Sequence, residues 1–439
     1  MPPSASRLPK EPADRLTAPF LRFLRIEAMA GAVLFLATLL AIAMANSPLA
    51  NLHEALWNTH VGIVAGGLEY GRSLKEWVNE GLMTLFFFVI ALELKRELVL
   101  GDLRDPHAAA FPVAAAVGGM AVPAAMFLVI AGGEPGGGAW GVVMSTDTAF
   151  VIGCLAVLRD RVPTSLRLFL LALAIVDDIG AILVVAIAYG ESLNAIALAL
   201  AGTGLLVVAV AARLGVRPFP VYFTLGGGIW LALDASGLHA TMAGVILGLM
   251  TPARSWVSDV RLHAILDRVV AQPPGRNWAG DKDARADLHR AGVATREALS
   301  PIEQLETALH PWVAFGVLPL FALANAGIPL EAADHDPALL SAIVVGFVVG
   351  KPVGVLVFSF LVVRLGVGLR PPDLSWPLVA AGAMLTGIGF TMALFIADLA
   401  VGPDLAKAVK AGILGASVLS ATLGLSVIIW ATSKGGRRS

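Results

Sequence analysis

Apolar residues in this chain gather in long blocks separated by short polar or basic stretches, with no sustained alternation. The blocks cover 26-45, 80-100, 108-131, 139-157, 168-188, 193-212, 219-233, 238-250, 311-329, 339-363, 376-398 and 408-430. Most are long enough to cross a bilayer as a helix, which predicts an all-α polytopic membrane protein with twelve spans. The blocks 219-233 and 238-250 are short and also fit one hairpin. Between spans one and two, 46-79 is moderately hydrophobic; a short hairpin, an interfacial helix and a contact between subunits all fit it. The polar stretch 251-309 carries eight Lys/Arg and eight Asp/Glu, so it reads as a solvated loop. Its centre, Gln272 to Asp287, reads as a flexible insert, and its flank Trp256 to Val270 has a helical pattern suited to a membrane surface. The chain thus divides into a tail 1-25, eight spans in 26-250, the loop 251-309, four spans in 310-431 and a tail 432-439.

Basic residues orient these spans. One side receives Arg15, Arg22 and Arg25; Lys95, Arg96 and Arg104; Arg159, Arg161 and Arg167; Arg213 and Arg217; Arg364 and Arg370; and Lys434, Arg437 and Arg438. The opposite turns 132-138, 189-192, 234-237, 330-338 and 399-406 contain no Lys or Arg, while 46-79 is an exception with Arg72 and Lys75. This asymmetry places both termini in the cytoplasm. Ala43-Met44-Ala45 resembles a signal cleavage site, but the apolar run from Ile26 is long enough to be a retained first helix. With 57% hydrophobic and 14% charged residues and a mean hydropathy of +0.80, the chain fits no soluble class. A net charge of -1 gives no sign of a nucleic-acid partner. The single cysteine, Cys154, excludes an internal disulfide. Without a phosphate-binding loop or metal-ligand spacing, drive by ATP and a resident cofactor are not expected, and the chain does not read as an enzyme.

Against this apolar background a few polar residues stand out. Asp177 and Asp178 are adjacent within the run Leu168 to Ala188. Neighbouring helix positions point about 100° apart, so one carboxylate can face a cation while the other turns to a counter-charge. A desolvated carboxylate also holds a proton readily, so cation and proton can compete for the same oxygens; a structural charge pair is the plainer alternative. Asp147 and Thr146 lie in the polar island Ser145-Thr146-Asp147-Thr148, which points to a helix broken at mid-membrane, with a hydroxyl-rich packing face as the alternative. Lys351, between Gly350 and Pro352, needs a carboxylate partner; it fits either a proton-coupled counter-charge or a structural salt bridge. The run Thr386-Gly387-Ile388-Gly389-Phe390-Thr391 favours a second unwound point, unless its glycines serve only close helix packing. The two islands sit symmetrically about the charged helices, so spans 3-5 and 10-12 read as related repeats. Glu93, Lys95, Arg96 and Glu97 end one span while Glu306 and His310 begin another, and this titratable cluster fits either a pH response or solvated helix ends. His239 begins a helix on the other side and fits a cap or packing role.

Eight separated motifs resemble the bacterial NhaA family of sodium/proton antiporters. They are Asn79 to Met83, Leu92 to Leu98, Ser145 to Phe150, Ala174 to Ala181, His239 to Gly244, Leu320 to Gly327, Gly350 to Pro352 and Gly387 to Met392, and the likeness covers most of residues 20-431. The resemblance implies twelve helices with inverted repeats and two broken, crossing helices in the inner membrane. It implies electrogenic exchange of one Na+ or Li+ for two protons, with Asp178 as principal cation and proton site and Asp177 beside it, able to pair with Lys351. Thr146 and Asp147 would occupy the broken-helix site, supported by Gly387, Gly389 and Thr391. Glu93, Arg96, Glu97, Glu306, His310 and His239 would shape the pH response, and segment 46-72 would join two protomers in a homodimer among membrane lipids. Thr307, where well-known members carry a histidine, the long loop 251-309 and Asp398 are departures. A channel-like or sensing membrane protein without exchange and a sodium-coupled symporter of an organic solute are the competing readings.

Overall fold

The computed structural model describes residues 27–65, 68–158, 162–190, 193–216, 218–271, 282–329 and 337–435. The tail 1-25, the basic residues Arg159, Arg161, Arg217, Arg437 and Arg438, and 272–281 of the loop lie outside these described residues.

Apolar surroundings offer the backbone no hydrogen-bond partners, so each hydrophobic block closes its own N–H and C=O groups as a helix. These helices are α1 (Glu27–Ala45), α2 (Ala50–Trp57), α3 (Met83–Val99), α4 (Pro106–Ala131), α5 (Thr148–Val157), α6 (Thr164–Ala188), α7 (Ala195–Arg213), α8 (Phe219–Ala235) and α9 (Met242–Met250). The polar loop supplies α10 (Asp259–Val270) and α11 (Lys282–Glu297). Then come α12 (Pro301–Asn325), α13 (Pro337–Arg364), α14 (Trp376–Leu385), α15 (Phe390–Ala400) and α16 (Pro403–Gly435). Six helices among the described residues are long and apolar enough to cross a membrane, and nine spans result if each of three bent pairs counts as one. The 25 residues of α6 reach about 37 Å, more than the roughly 30 Å of a hydrocarbon core. The architecture is therefore polytopic and helical. Blocks 219-233 and 238-250 form two helices separated by a turn, not one continuous element.

Two segments gain definite structure. Residues 46-79 contain α2 and an antiparallel hairpin of β1 (His60–Ala65) and β2 (Leu68–Ser73), the only strands among the described residues. Arg72 of β2 pairs with Glu80 and, at 2.5 Å, with Asp234 of α8, while Trp77 stacks on Trp230. These contacts hold the hairpin on the bundle. In the loop, Lys282 to Asp287 is not a flexible insert but the first part of α11, where Lys282 and Arg285 face solvent. Ala291 and Ala294 give this helix a buried face, and it packs along α10.

Prolines shape two of the long helices. Pro319 and Pro352 have no N–H to offer the carbonyls of Phe315 and Val348, and their rings crowd those carbonyls. In both places the preceding turn widens to π geometry, at Val313–Val317 and Gly346–Gly350. The second widened turn delivers Lys351 to the middle of the bundle. There α13 crosses α4 with backbones nearly touching: a Cβ on Gly354 would lie 2.0 Å from the Gly118 oxygen.

Asp398 acquires a defined place. Its carboxylate meets Lys410 of α16 at 2.6 Å and Lys75 at 3.5 Å, and accepts a hydrogen bond from Asn79 at 3.2 Å. Asn79 in turn exchanges side-chain hydrogen bonds with Asn325 of α12. Lys410 is buried, so Asp398→Ala should orphan its ammonium and lower stability by about 3 kcal/mol. Thermal unfolding in detergent checks this, and adding Lys410→Met should restore most of the loss.

Candidate functional site

Two broken helices meet at mid-bundle. The 3₁₀ segment Gly137–Met144 and α5 are bent by 42° at Ser145–Asp147, and α14 and α15 by 46° at Thr386–Gly389. Ser145 and Asp147 adopt extended backbone, which ends one hydrogen-bond ladder before the next begins. Each break then satisfies the other. The Asp147 amide donates to the Ile388 carbonyl at 2.7 Å, and the Thr146 hydroxyl donates to the Thr386 carbonyl at 3.1 Å.

Asp147 is the N-cap of α5 and also faces the start of α15. Its Oδ1 accepts from the Phe150 amide at 3.0 Å, and its Oδ2 accepts from the Thr391 amide at 2.8 Å and hydroxyl at 2.6 Å. One carboxylate thus caps two helix N-termini whose positive ends converge. With three protein donors already on its oxygens, Asp147 is better placed to balance those dipoles than to surround a cation. Gly387 and Gly389 do mark the second break, but for a different reason than backbone freedom. Neither takes a positive φ; a Cβ on Gly387 would lie 2.5 Å from the Phe347 oxygen, and one on Gly389 2.4 Å from the Phe347 ring. Close passage of α13, joined at Gly387 by Ser420 of α16, whose hydroxyl would lie 2.4 Å from that Cβ, demands the glycines.

Asp177 and Asp178 lie side by side on α6, with 0% and 4% of their surface exposed, and Lys351 of α13 is fully buried. Lys351 Nζ donates to Asp177 Oδ2 at 2.9 Å and also to the Met144 carbonyl, one of those freed by the first break. The sequence's three intramembrane charges nearest mid-depth therefore converge with Asp147 on one region. Asp177 Oδ1 and Asp178 Oδ1 receive no hydrogen bond. A buried carboxylate oxygen without a donor is costly unless a cation or proton occupies it. Asp177 gives one oxygen to a lysine and keeps the other without a donor, while Asp178 has no ion-pair partner among the described residues. Among those residues no group of three or more His, Cys, Asp or Glu could hold a resident metal.

The structure also brings together the charged ends of α3 and α12. Arg96 bridges Glu306 and Glu97, the latter at 3.0 Å, and His310 lies 4.0 Å from Glu93. Glu306 keeps one buried oxygen without a hydrogen bond. Lys95 does different work: it donates to the Leu249 and Thr251 carbonyls and caps the C-terminal end of α9. His239 is apart from both groups, with its Nε2 2.9 Å from the Tyr189 carbonyl at the end of α6.

Tyr189 itself escapes a reading of the sequence. An aromatic at the end of an apolar run looks like an interface anchor. Here its hydroxyl donates to the Gly138 carbonyl at 2.9 Å and accepts from the Gly141 amide at 3.1 Å. The only sequence signal is the glycine spacing, since a Cβ on Gly141 would stand 2.6 Å from that hydroxyl.

Comparison with known proteins gives this geometry a lineage. A sequence model of the family described as Na+/H+ antiporter 1 matches residues 21–428. The Na(+)/H(+) antiporter NhaA of Rhizobium meliloti (strain 1021) is 64% identical over 434 residues, 99% of each chain. Na(+)/H(+) antiporter NhaA 2 of Acidiphilium cryptum (strain JF-5) is 54% identical across 97% of this chain and 95% of its own. Na(+)/H(+) antiporter NhaA 2 of Vibrio vulnificus (strain CMCP6) is 51% identical across 95% of this chain and 94% of its own. With the family model covering nearly the whole chain and identities above one half, the protein belongs to the Na+/H+ antiporter 1 family.

Proposed function

We propose that this protein is an electrogenic secondary antiporter of the bacterial inner membrane that exchanges cytoplasmic Na+ or Li+ for external protons by alternating access. The carrying observation is the pair of unpartnered carboxylate oxygens on buried Asp177 and Asp178 beside two broken helices. In this reading Asp178 binds the cation or, in its absence, a proton, and Asp177 shares that work while paired with Lys351. Asp147 and Thr146 complete the site, with Gly387, Gly389 and Thr391 keeping the second break in place. Two protons per cation would make each cycle move net charge, because two positive charges enter for one that leaves.

The scaffold reading follows. Adding the three shorter helices α3, α8 and α9 to the nine spans gives twelve, and the matched breaks support inverted repeats in spans 3-5 and 10-12. Basic residues argue for cytoplasmic termini. The cluster Glu93, Arg96, Glu97, Glu306 and His310, together with His239, would adjust activity to pH. Exposed Leu49, Leu52, Leu56 and Val61 support a homodimer through 46-72, with lipid covering the remaining apolar faces.

Proteoliposomes with an imposed sodium gradient and no initial pH gradient test the function. Sodium entry should drive protons out and raise internal pH, faster or slower according to an applied membrane potential. Internal pH that does not respond to sodium in sealed vesicles, across several starting pH values, would defeat the antiporter reading and favour coupled solute uptake.

A further inference from the structure

Tyr189 occupies an unusual position in the backbone ladder of a neighbouring element. In a 3₁₀ helix the amide of residue i+3 bonds the carbonyl of residue i, and residues three apart lie in one row. Gly138, Gly141 and Met144 form such a row along Gly137–Met144. The Tyr189 hydroxyl accepts from the Gly141 amide at 3.1 Å and donates to the Gly138 carbonyl at 2.9 Å, so it bridges two groups that such a ladder would join. One turn further along the row, the Met144 carbonyl receives the Lys351 ammonium, which also holds Asp177. Tyr189 meanwhile ends the helix that carries Asp177 and Asp178, and its carbonyl is fixed by His239.

We infer that Tyr189 is a positioning residue: its hydroxyl sets the axial register of the half-helix Gly137–Met144, and with it the Met144 carbonyl that holds Lys351 against Asp177. The hydroxyl joins the end of the aspartate helix directly to the half-helix, one 3₁₀ turn along that half-helix from the Met144 carbonyl that Lys351 holds. A Cβ at position 141 would stand 2.6 Å from the hydroxyl, so Gly141 is the space through which this contact is made. A half-helix of eight residues with carbonyls freed at its end has few internal constraints on sliding; a side chain hydrogen-bonded to both the Gly138 carbonyl and the Gly141 amide supplies one. The ring of Tyr189 alone would fill space equally well as phenylalanine, so the hydroxyl is the part that carries this role.

This inference rests on the antiporter reading, and its test separates the two. Parent, Tyr189→Phe, Gly141→Ala and the double variant are reconstituted, and apparent KM for Na+ and maximal exchange rate per folded protein are measured, with thermal unfolding alongside. Parent vesicles that show no sodium-driven exchange would defeat the function, not the role of Tyr189. In an active parent background, Tyr189→Phe should raise apparent KM about five-fold, a modest net effect because the Gly141 amide and Gly138 carbonyl released with the hydroxyl can turn to each other, and for the same reason the melting temperature should change little. Gly141→Ala should raise it by a similar factor, because the added methyl displaces the hydroxyl. The double variant should be no worse than either alone, since both remove one contact. An unchanged KM in Tyr189→Phe, a lower maximal rate at unchanged KM, or multiplying effects in the double variant would each overturn the assignment. If Gly141→Ala does not fold, the KM against rate comparison in Tyr189→Phe decides alone.

Discussion

Asp178→Asn is expected to abolish sodium-driven proton movement. The carboxamide has nearly the shape of the acid, so packing on α6 should survive. What disappears is the charge that attracts a cation and the group that takes up and releases a proton. At an effective dielectric of about 20, a unit charge pair roughly 4 Å apart interacts by about 4 kcal/mol. That corresponds to about a thousand-fold in affinity, so binding at ordinary sodium concentrations should vanish. Asp178→Glu keeps both charge and proton exchange and should retain part of the activity, with a raised apparent KM from the longer side chain. The assay is sodium-driven change of internal pH in proteoliposomes, with sodium-dependent thermal stabilisation as an independent readout of binding. Exchange at the parent's rate in Asp178→Asn would remove this residue from the site.

Much of this site is legible in the sequence because hydrocarbon makes charge conspicuous. Asp147, Asp177, Asp178 and Lys351 each stand out in an apolar run, and a mid-membrane charge has to meet a partner, an ion or a helix end. Their convergence follows from that physics, and Lys351 does meet Asp177. The breaks are also legible, from Ser145-Thr146-Asp147 and from Thr386 to Thr391. Why glycine stands at 387 and 389 is not, because the answer lies on α13 and α16, where Phe347 and Ser420 pass close by. The same limit hides the partners of Asp398, since Lys75, Asn79, Asn325 and Lys410 come from segments that share no pattern. A polar residue advertises its need for a partner; the sequence does not name which distant residue meets it. The pairing of β1 with β2 is one of three readings the sequence leaves open for the same reason: the strands are short, and contacts to Glu80 and Asp234 hold them. Residues 282–287 read as part of a flexible insert because a charged run carries no apolar face of its own; the buried alanines that seat α11, Ala291 and Ala294, lie further along the helix.

Lys351→Gln carries the second large expectation, and it decides between two roles that the sequence leaves equal. Lys351 and Asp177 have no exposed side-chain surface, so neutralising the lysine alone leaves a carboxylate buried opposite an amide. Removing one partner of such a pair typically costs about 3–5 kcal/mol, whereas removing both charges is often near neutral. The unfolding midpoint of Lys351→Gln should therefore drop sharply, and Asp177→Asn with Lys351→Gln should regain most of it. That non-additivity measures the coupling of the pair, because each side chain is the other's main electrostatic partner. Exchange should behave differently. If the pair only pins α6 to α13, the double variant recovers transport together with stability. If Lys351 is the counter-charge through which cation binding at Asp177 and Asp178 is felt, the double variant recovers its midpoint but not its exchange. We expect the second outcome, because Lys351 also holds the Met144 carbonyl at the first break and so joins the aspartate helix to the element that ends beside the site. A double variant with the parent's melting temperature and the parent's apparent KM for Na+ would reduce Lys351 to a structural ion.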